Sequence, residues 1–72
     1  MFNGIYKDGD IWTYYVNGVK TYAGVIELDG FYYYVKSDFQ VVHGRSYAVS
    51  KTNGLVAAGK YDFDSEGHMI LN

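Results

Sequence analysis

Apolar and aromatic residues fall into short runs, separated by polar clusters in which a glycine follows an acidic or amide residue: Asp8-Gly9, Asn17-Gly18, Asp29-Gly30, Asn53-Gly54 and Glu66-Gly67. Val, Ile, Tyr, Phe and Thr dominate the runs, and such residues suit a pleated, half-buried strand. Asn-Gly and Asp-Gly tolerate positive φ at both centres of a type I′ turn, whose twist fits a tight hairpin. No long segment places its apolar positions at helical spacing. The pattern predicts strands near residues 4–7, 11–16, 19–22, 25–28, 31–36, 40–43, 46–50, 55–57, 60–63 and 68–71. The expected fold class is all-β: an antiparallel meander of consecutive β-hairpins, arranged as a β-solenoid-like repeat.

The runs repeat. Tyr14-Tyr15-Val16, Tyr33-Tyr34-Val35, Tyr47-Ala48-Val49 and Tyr61-Asp62-Phe63 are spaced by 19, 14 and 14 residues, while Gly4, Gly24 and Gly44 lie 20 apart. These divide one repeat domain, residues 1–72, into units at about 4–23, 24–43, 44–58 and 59–72. A unit of this size cannot bury its apolar face alone and must stack on its neighbours, which produces an extended surface rather than a deep pocket.

Period-two alternation assigns side chains to faces. Trp12, Tyr14 and Val16 share one face, matched by Phe31, Tyr33 and Val35, by Tyr47 and Val49, and by Tyr61 and Phe63. This face is expected to be the core. The other holds Thr13 and Tyr15, then Tyr32 and Tyr34, then Ser46, Ala48 and Ser50, then Lys60, Asp62 and Asp64. Tyr15, Tyr32 and Tyr34, with Tyr6 and Tyr22 nearby, are the candidate ligand-binding residues. An exposed tyrosine offers a flat ring to the apolar face of a sugar and a phenol to its hydroxyls, or a π face to a cation. Alternatively, the same rings pack as cross-strand pairs and stabilise the sheet.

Composition narrows the function. The 72 residues include nine tyrosines and no cysteine, and 49% are hydrophobic, which excludes thiol chemistry and a disordered segment. A chain this short buries only about 60% of its unfolded surface, so its stability is marginal. The formal charge is −2 and the six basic residues are scattered along the chain. Neither a nucleic-acid footprint nor a membrane-spanning run is present. No signal peptide precedes the first unit, so the chain is expected to be a fragment of a larger exported protein.

The remaining constellations point to no catalysis, metal or cofactor. Asp62-Phe63-Asp64-Ser65-Glu66-Gly67 imitates the start of a calcium loop, but its flanks read as strand rather than helix. His43 and His68 lack a second ligand at metal spacing. Asp38, His43 and Ser46 are close in sequence without an elbow or oxyanion loop to frame them.

Gly24 to Gly44, with Asp29-Gly30-Phe31-Tyr32-Tyr33-Tyr34-Val35, and Gly4 to Gly24, with Trp12-Thr13-Tyr14-Tyr15-Val16-Asn17-Gly18, resemble the cell-wall-binding and glucan-binding repeats of Gram-positive surface proteins. That superfamily includes choline-binding modules and clostridial toxin repeats, and the resemblance covers nearly the whole chain. It implies a stack of β-hairpins, non-catalytic and extracellular, that holds a larger protein to cell-wall glycan or another polysaccharide. Choline-binding repeats open with a Gly-Trp pair, whereas the corresponding pairs here are Gly4-Ile5, Gly24-Val25, Gly44-Arg45 and Gly59-Lys60. The resemblance so altered implies a glycan rather than choline.

Two functions follow. A polysaccharide-binding module requires at least two of Tyr15, Tyr32, Tyr34, Tyr22 and Tyr6 to be exposed and adjacent. A structural spacer or self-association module requires them to be buried in the array or at a contact between copies. The first half has no polar cap, so a homodimer through the repeat ends is also expected.

Overall fold

The structure, a computed structural model, describes residues 1–71. The fold is all-β, an array of antiparallel hairpins, and none of the described residues is helical. The first sheet contains β1 (Gly4–Asp8), β2 (Ile11–Val16) and β3 (Val19–Lys20); the second, β4 (Gly24–Leu28) and β5 (Phe31–Val35); the third, β6 (Ser46–Val49) and β7 (Gly59–Asp62). The third sheet thus draws one strand from residues 44–58 and one from residues 59–72.

Turn chemistry sets the hairpin registers. Asn17-Gly18 and Asp29-Gly30 have positive φ at both residues, the type I′ geometry, and connect Val16 to Val19 and Leu28 to Phe31. In the first hairpin Asp8 pairs with Ile11, so the turn is centred on Gly9-Asp10 rather than on Asp8-Gly9; only Gly9 has positive φ, as in type II′. The strands expected at 40–43 and 68–71 reduce to isolated bridges, Thr13–Gln40, Val35–Val41 and Phe63–Met69, and 55–57 forms no strand. These segments are tethers. Val41 N–H donates to Trp12 C=O at 2.7 Å and Val42 N–H to Tyr34 C=O at 3.0 Å, joining the first hairpin to the second. Met69 N–H donates to Tyr32 C=O at 2.7 Å and Ile70 N–H to Asp62 C=O at 2.9 Å, joining the second to the third.

The assignment of faces needs correction in the second hairpin. Gly4 pairs with Tyr15 and Gly24 with Val35; Ile5 pairs with Tyr14 and Val25 with Tyr34. Tyr34, not Tyr33, is therefore the equivalent of Tyr14, and Tyr32, not Phe31, that of Trp12. The hairpins follow the 20-residue glycine spacing instead of the 19-residue spacing of the tyrosine motif, and a one-residue slip exchanges the two faces of a strand. Phe31, expected in the core, is exposed, as is Val16. Tyr34, expected at the surface, is 3% exposed.

Both faces of the second hairpin are covered. Toward the first hairpin, Val35 joins Trp12 and Val41 in a buried cluster, with Ile5, Tyr14, Ala23, Ile26 and Tyr33 packed around it. Toward the third, Val25 and Tyr34 join Val42, Val49, Phe63 and Met69. A strand buried on both sides shows no apolar–polar alternation, so Phe31-Tyr32-Tyr33-Tyr34-Val35 is one continuous aromatic run.

A strap from the third hairpin locks this stack. Lys51 C=O accepts from Val25 N–H at 2.9 Å, and Asn53 Nδ2 donates to the carbonyls of Ala23 at 2.6 Å and Val25 at 2.8 Å. The strap crosses Gly24, whose φ is +69°, and the Lys51 carbonyl occupies the place a β-carbon would need. Glycine is required there twice over, for its backbone angle and for the missing side chain.

Candidate functional site

The five candidate tyrosines separate into three environments. Tyr6 and Tyr15 lie on the outer face of the first sheet, offset by one pairing step, because Tyr6 pairs with Thr13 and Tyr15 with Gly4. Tyr6 is 55% exposed and Tyr15 half-buried. Both meet Phe2 edge-on, at centroid distances of 6.5 and 5.8 Å. The N-terminal segment holds Phe2 there by folding back along the turn: Gly18 N–H donates to Phe2 C=O at 2.8 Å and Asn17 N–H to Asn3 Oδ1 at 2.7 Å. Phe2, Tyr6, Tyr15 and Gly18 line a shallow groove of about 370 Å³.

Tyr34 and Tyr22 form the second group. Tyr34 packs between the second and third hairpins with its ring 5.6 Å from that of Tyr47. A hydrogen bond to Tyr34, then burial, then the charges of Tyr34 and Tyr47 raise the Tyr22 phenol above the ordinary tyrosine value. Burial pushes the Tyr34 phenol up, but hydrogen bonds with Ser50 and Tyr22 and with the backbone of Ser50 and Lys51 outweigh it, leaving the group below its ordinary value. Lys51 Nζ lies 4.6 Å from the Tyr22 ring centroid, and Lys36 Nζ 5.8 Å from that of Tyr47. This group is interhairpin packing with its own cations in place. Tyr34 offers no open face.

Tyr32 stands apart from the other four. It pairs with Glu27 at the tip of the second hairpin, and with Phe31, Gly30, Met69 and Leu71 these residues line a groove of about 250 Å³. Phe31 is 48% exposed and lies against the imidazole of His68, with centroids 3.9 Å apart and planes within 5°. His68 is held in turn: its N–H donates to Asp64 Oδ1 at 2.9 Å, its Nδ1 lies 3.7 Å from Asp64 Oδ2, and Tyr33 meets it edge-on at 5.3 Å. Asp64, part of the segment that imitates a calcium loop, also accepts from Glu66 N–H and so organises this turn. The groove combines a braced flat ring, a phenol and the Glu27 carboxylate, which is exposed and has no ion-pair partner among the described residues.

A similar stack closes the first junction. His43 lies parallel to Trp12 at 3.9 Å, its Nε2 is 2.9 Å from Asp10 C=O, and Lys7 Nζ sits 4.4 Å from the Trp12 ring. Trp12 is buried and donates through Nε1 to Gly9 C=O at 3.1 Å. Both histidines thus serve as stacking partners for an aromatic residue of the preceding hairpin.

Sequence reasoning missed Phe31, Glu27, His68, Leu71 and Phe2 as surface-forming residues. The glycine spacing carried the signal for Phe31, since shifting the repeat by 20 residues places Phe31 over Ile11. Leu71 and His68 reach the groove only through tertiary packing.

The architecture is that of a stacked β-hairpin module with aromatic rings and cation–π contacts at each junction. Over its whole length the chain matches the solved structure of the choline binding domain of Spr1274 in Streptococcus pneumoniae, covering 98% of that chain with a TM-score of 0.71 at 18% sequence identity. No protein-family model and no curated protein matches the sequence.

Proposed function

We propose that this chain is a non-catalytic polysaccharide-binding repeat module that holds a larger protein to cell-wall or other glycan outside the cell. The observation that carries the reading is the Phe31 ring, exposed on one side, stacked on His68, and opening onto Tyr32 and Glu27. A pyranose presents an apolar C–H face to such a ring and hydroxyls to a carboxylate and a phenol. Because His68 already fixes the ring, binding costs little side-chain entropy. Of the candidate tyrosines, Tyr32 belongs to this groove. The fold it shares with a choline binding domain supports a surface-binding role. The carboxylate beside the ring and the absence of Gly-Trp pairs favour a hydroxyl-rich ligand over choline. A single shallow groove binds weakly, and repetition in a longer array multiplies its retention.

Affinity retention on purified cell-wall polysaccharide, read with circular dichroism, tests the reading. Phe31→Ala and Glu27→Gln are expected to keep the β spectrum and to lower affinity about tenfold, equivalent to about 1.4 kcal/mol. Retention unchanged in both variants, or full elution by free choline, overturns the glycan assignment.

A further inference from the structure

The two ends of the hairpin stack differ in chemistry. At one end, the outer face of the third sheet presents Ser46, Ala48, Lys60 and Asp62, all exposed, with Ser46 hydrogen-bonded to Asp62. At the other, the outer face of the first sheet presents Tyr6, Ile11, Thr13 and Tyr15, with Phe2 laid over the two tyrosines. Phe2, Tyr6 and Ile11 are 49%, 55% and 54% exposed. One end of the array is capped and the other is open.

The open face continues an interface that the molecule already contains. By the 20-residue equivalence, Tyr6, Ile11, Thr13 and Tyr15 occupy the positions of Ile26, Phe31, Tyr33 and Val35. Ile26, Tyr33 and Val35 are the residues with which the second hairpin seats on the first, packing against Trp12, Ile5 and Tyr14. The outer face of the first hairpin therefore has the position and the apolar character of a stacking face, yet it is covered only by the Phe2 segment. A head-to-tail contact would press it against the polar Ser46–Asp62 end, where nothing apolar answers it. Two open faces brought together about a twofold axis satisfy each other and close the assembly at two copies.

We propose that a second copy of this chain docks on this face, forming an isologous dimer centred on Phe2, Tyr6, Ile11 and Tyr15. The polar Ser46–Asp62 ends point away from the contact. The groove of about 370 Å³ between Phe2 and the sheet receives apolar side chains of the partner subunit. The surface is distinct from the Phe31–Tyr32–Glu27 groove, so dimerisation and glycan retention are separately measurable.

Sedimentation velocity of the full chain across a broad concentration series tests the proposal. The expected result is a dimer mass at high concentration that falls to monomer on dilution. Tyr6→Lys and Ile11→Lys place charge on exposed positions of the contact and are expected to give monomer throughout, with the β spectrum retained. Lys60→Glu, at the capped end, is expected to leave the dimer intact. A monomer mass at every concentration overturns the proposal. So does a dimer indifferent to Tyr6→Lys and Ile11→Lys, or a ladder of larger species indicating head-to-tail growth. Loss of polysaccharide retention in Tyr6→Lys without any change in mass assigns the face to glycan instead, and also overturns it. Failure of the glycan reading alone shows in Phe31→Ala and leaves the mass unaltered.

Discussion

Tyr34 stacks toward Tyr47 across the junction of the second and third hairpins, with ring centroids 5.6 Å apart and planes tilted by 35°. This contact, together with Val25, Val42, Val49, Phe63 and Met69, makes Tyr34 a central member of the larger core cluster. Tyr33, on the opposite side of the same strand, is half-buried beside His68. Truncating a buried aromatic costs about 3 to 5 kcal/mol, a large share of what a domain of this size possesses. Tyr34→Ala is expected to unfold the chain or lower its denaturation midpoint severely. Tyr33→Ala is expected to cost visibly less in the same urea titration.

The strap over Gly24 supplies a sharper test of the stack. A β-carbon at this position meets the carbonyl and the side chain of Lys51. Relief requires the strap to lift, which also breaks the Lys51–Val25 and Asn53 hydrogen bonds. The left-handed backbone adds about 1 to 2 kcal/mol for any residue other than glycine. Gly24→Ala is therefore expected to destabilise by more than that backbone term alone. Asn53→Ala is expected to cost about 1 to 3 kcal/mol by leaving the carbonyls of Ala23 and Val25 unpaired. Thermal melts of both variants against the parent chain check the order.

Much of this architecture was legible in the residues, and the errors have identifiable causes. Asn17-Gly18 and Asp29-Gly30 announce their turns because positive φ at two successive positions leaves few other choices. The hairpins and the all-β class follow from them. The facing of the second hairpin did not, because two periodicities one residue apart competed and the more conspicuous tyrosine motif belonged to the wrong one. Alternation, the usual arbiter, is silent at Phe31-Tyr32-Tyr33-Tyr34-Val35, where each side of the strand has an apolar neighbour. The groove lay further out of reach. His68 and Leu71 come to Phe31 and Tyr32 by packing of distant segments, which no local pattern encodes.

Phe39 occupies a backbone conformation that its residue type disfavours. Its φ is +71°, close to the values of Gly18, Gly54 and Gly67 at the corresponding turns. Lys36 N–H donates to Gln40 C=O and Phe39 N–H to Lys36 C=O, fixing a tight turn in which the last residue must be left-handed. The ring is 36% exposed, so its partial burial offsets the strain. Phe39→Ala removes the burial and keeps the strain; Phe39→Gly removes both. Glycine is expected to be the more stable replacement by about 1 kcal/mol, the reverse of the order for an ordinary strand position. Chemical denaturation of the two variants side by side decides it.

Alkaline pH is expected to weaken the fold through Tyr33. Burial, then the carboxylates of Asp29, Asp64 and Glu66, hold its phenol above the ordinary value of 10.0. A native state that retains a proton the unfolded chain has released loses stability as pH rises, so the contribution is complete below the unfolded value and disappears through the folded one. The pH window opens near 10. Tyr22 is raised as well and acts in the same direction, whereas Tyr34 is lowered and acts oppositely, so the intact chain reports a mixture. Tyr33→Phe isolates the effect, because it keeps the ring against His68 and removes the ionisable group. Unfolding free energies measured from neutral pH to beyond 10 are expected to fall less steeply in Tyr33→Phe than in the parent chain. Parallel curves would place the alkaline sensitivity elsewhere, with the interhairpin pair of Tyr22 and Tyr34 next in line.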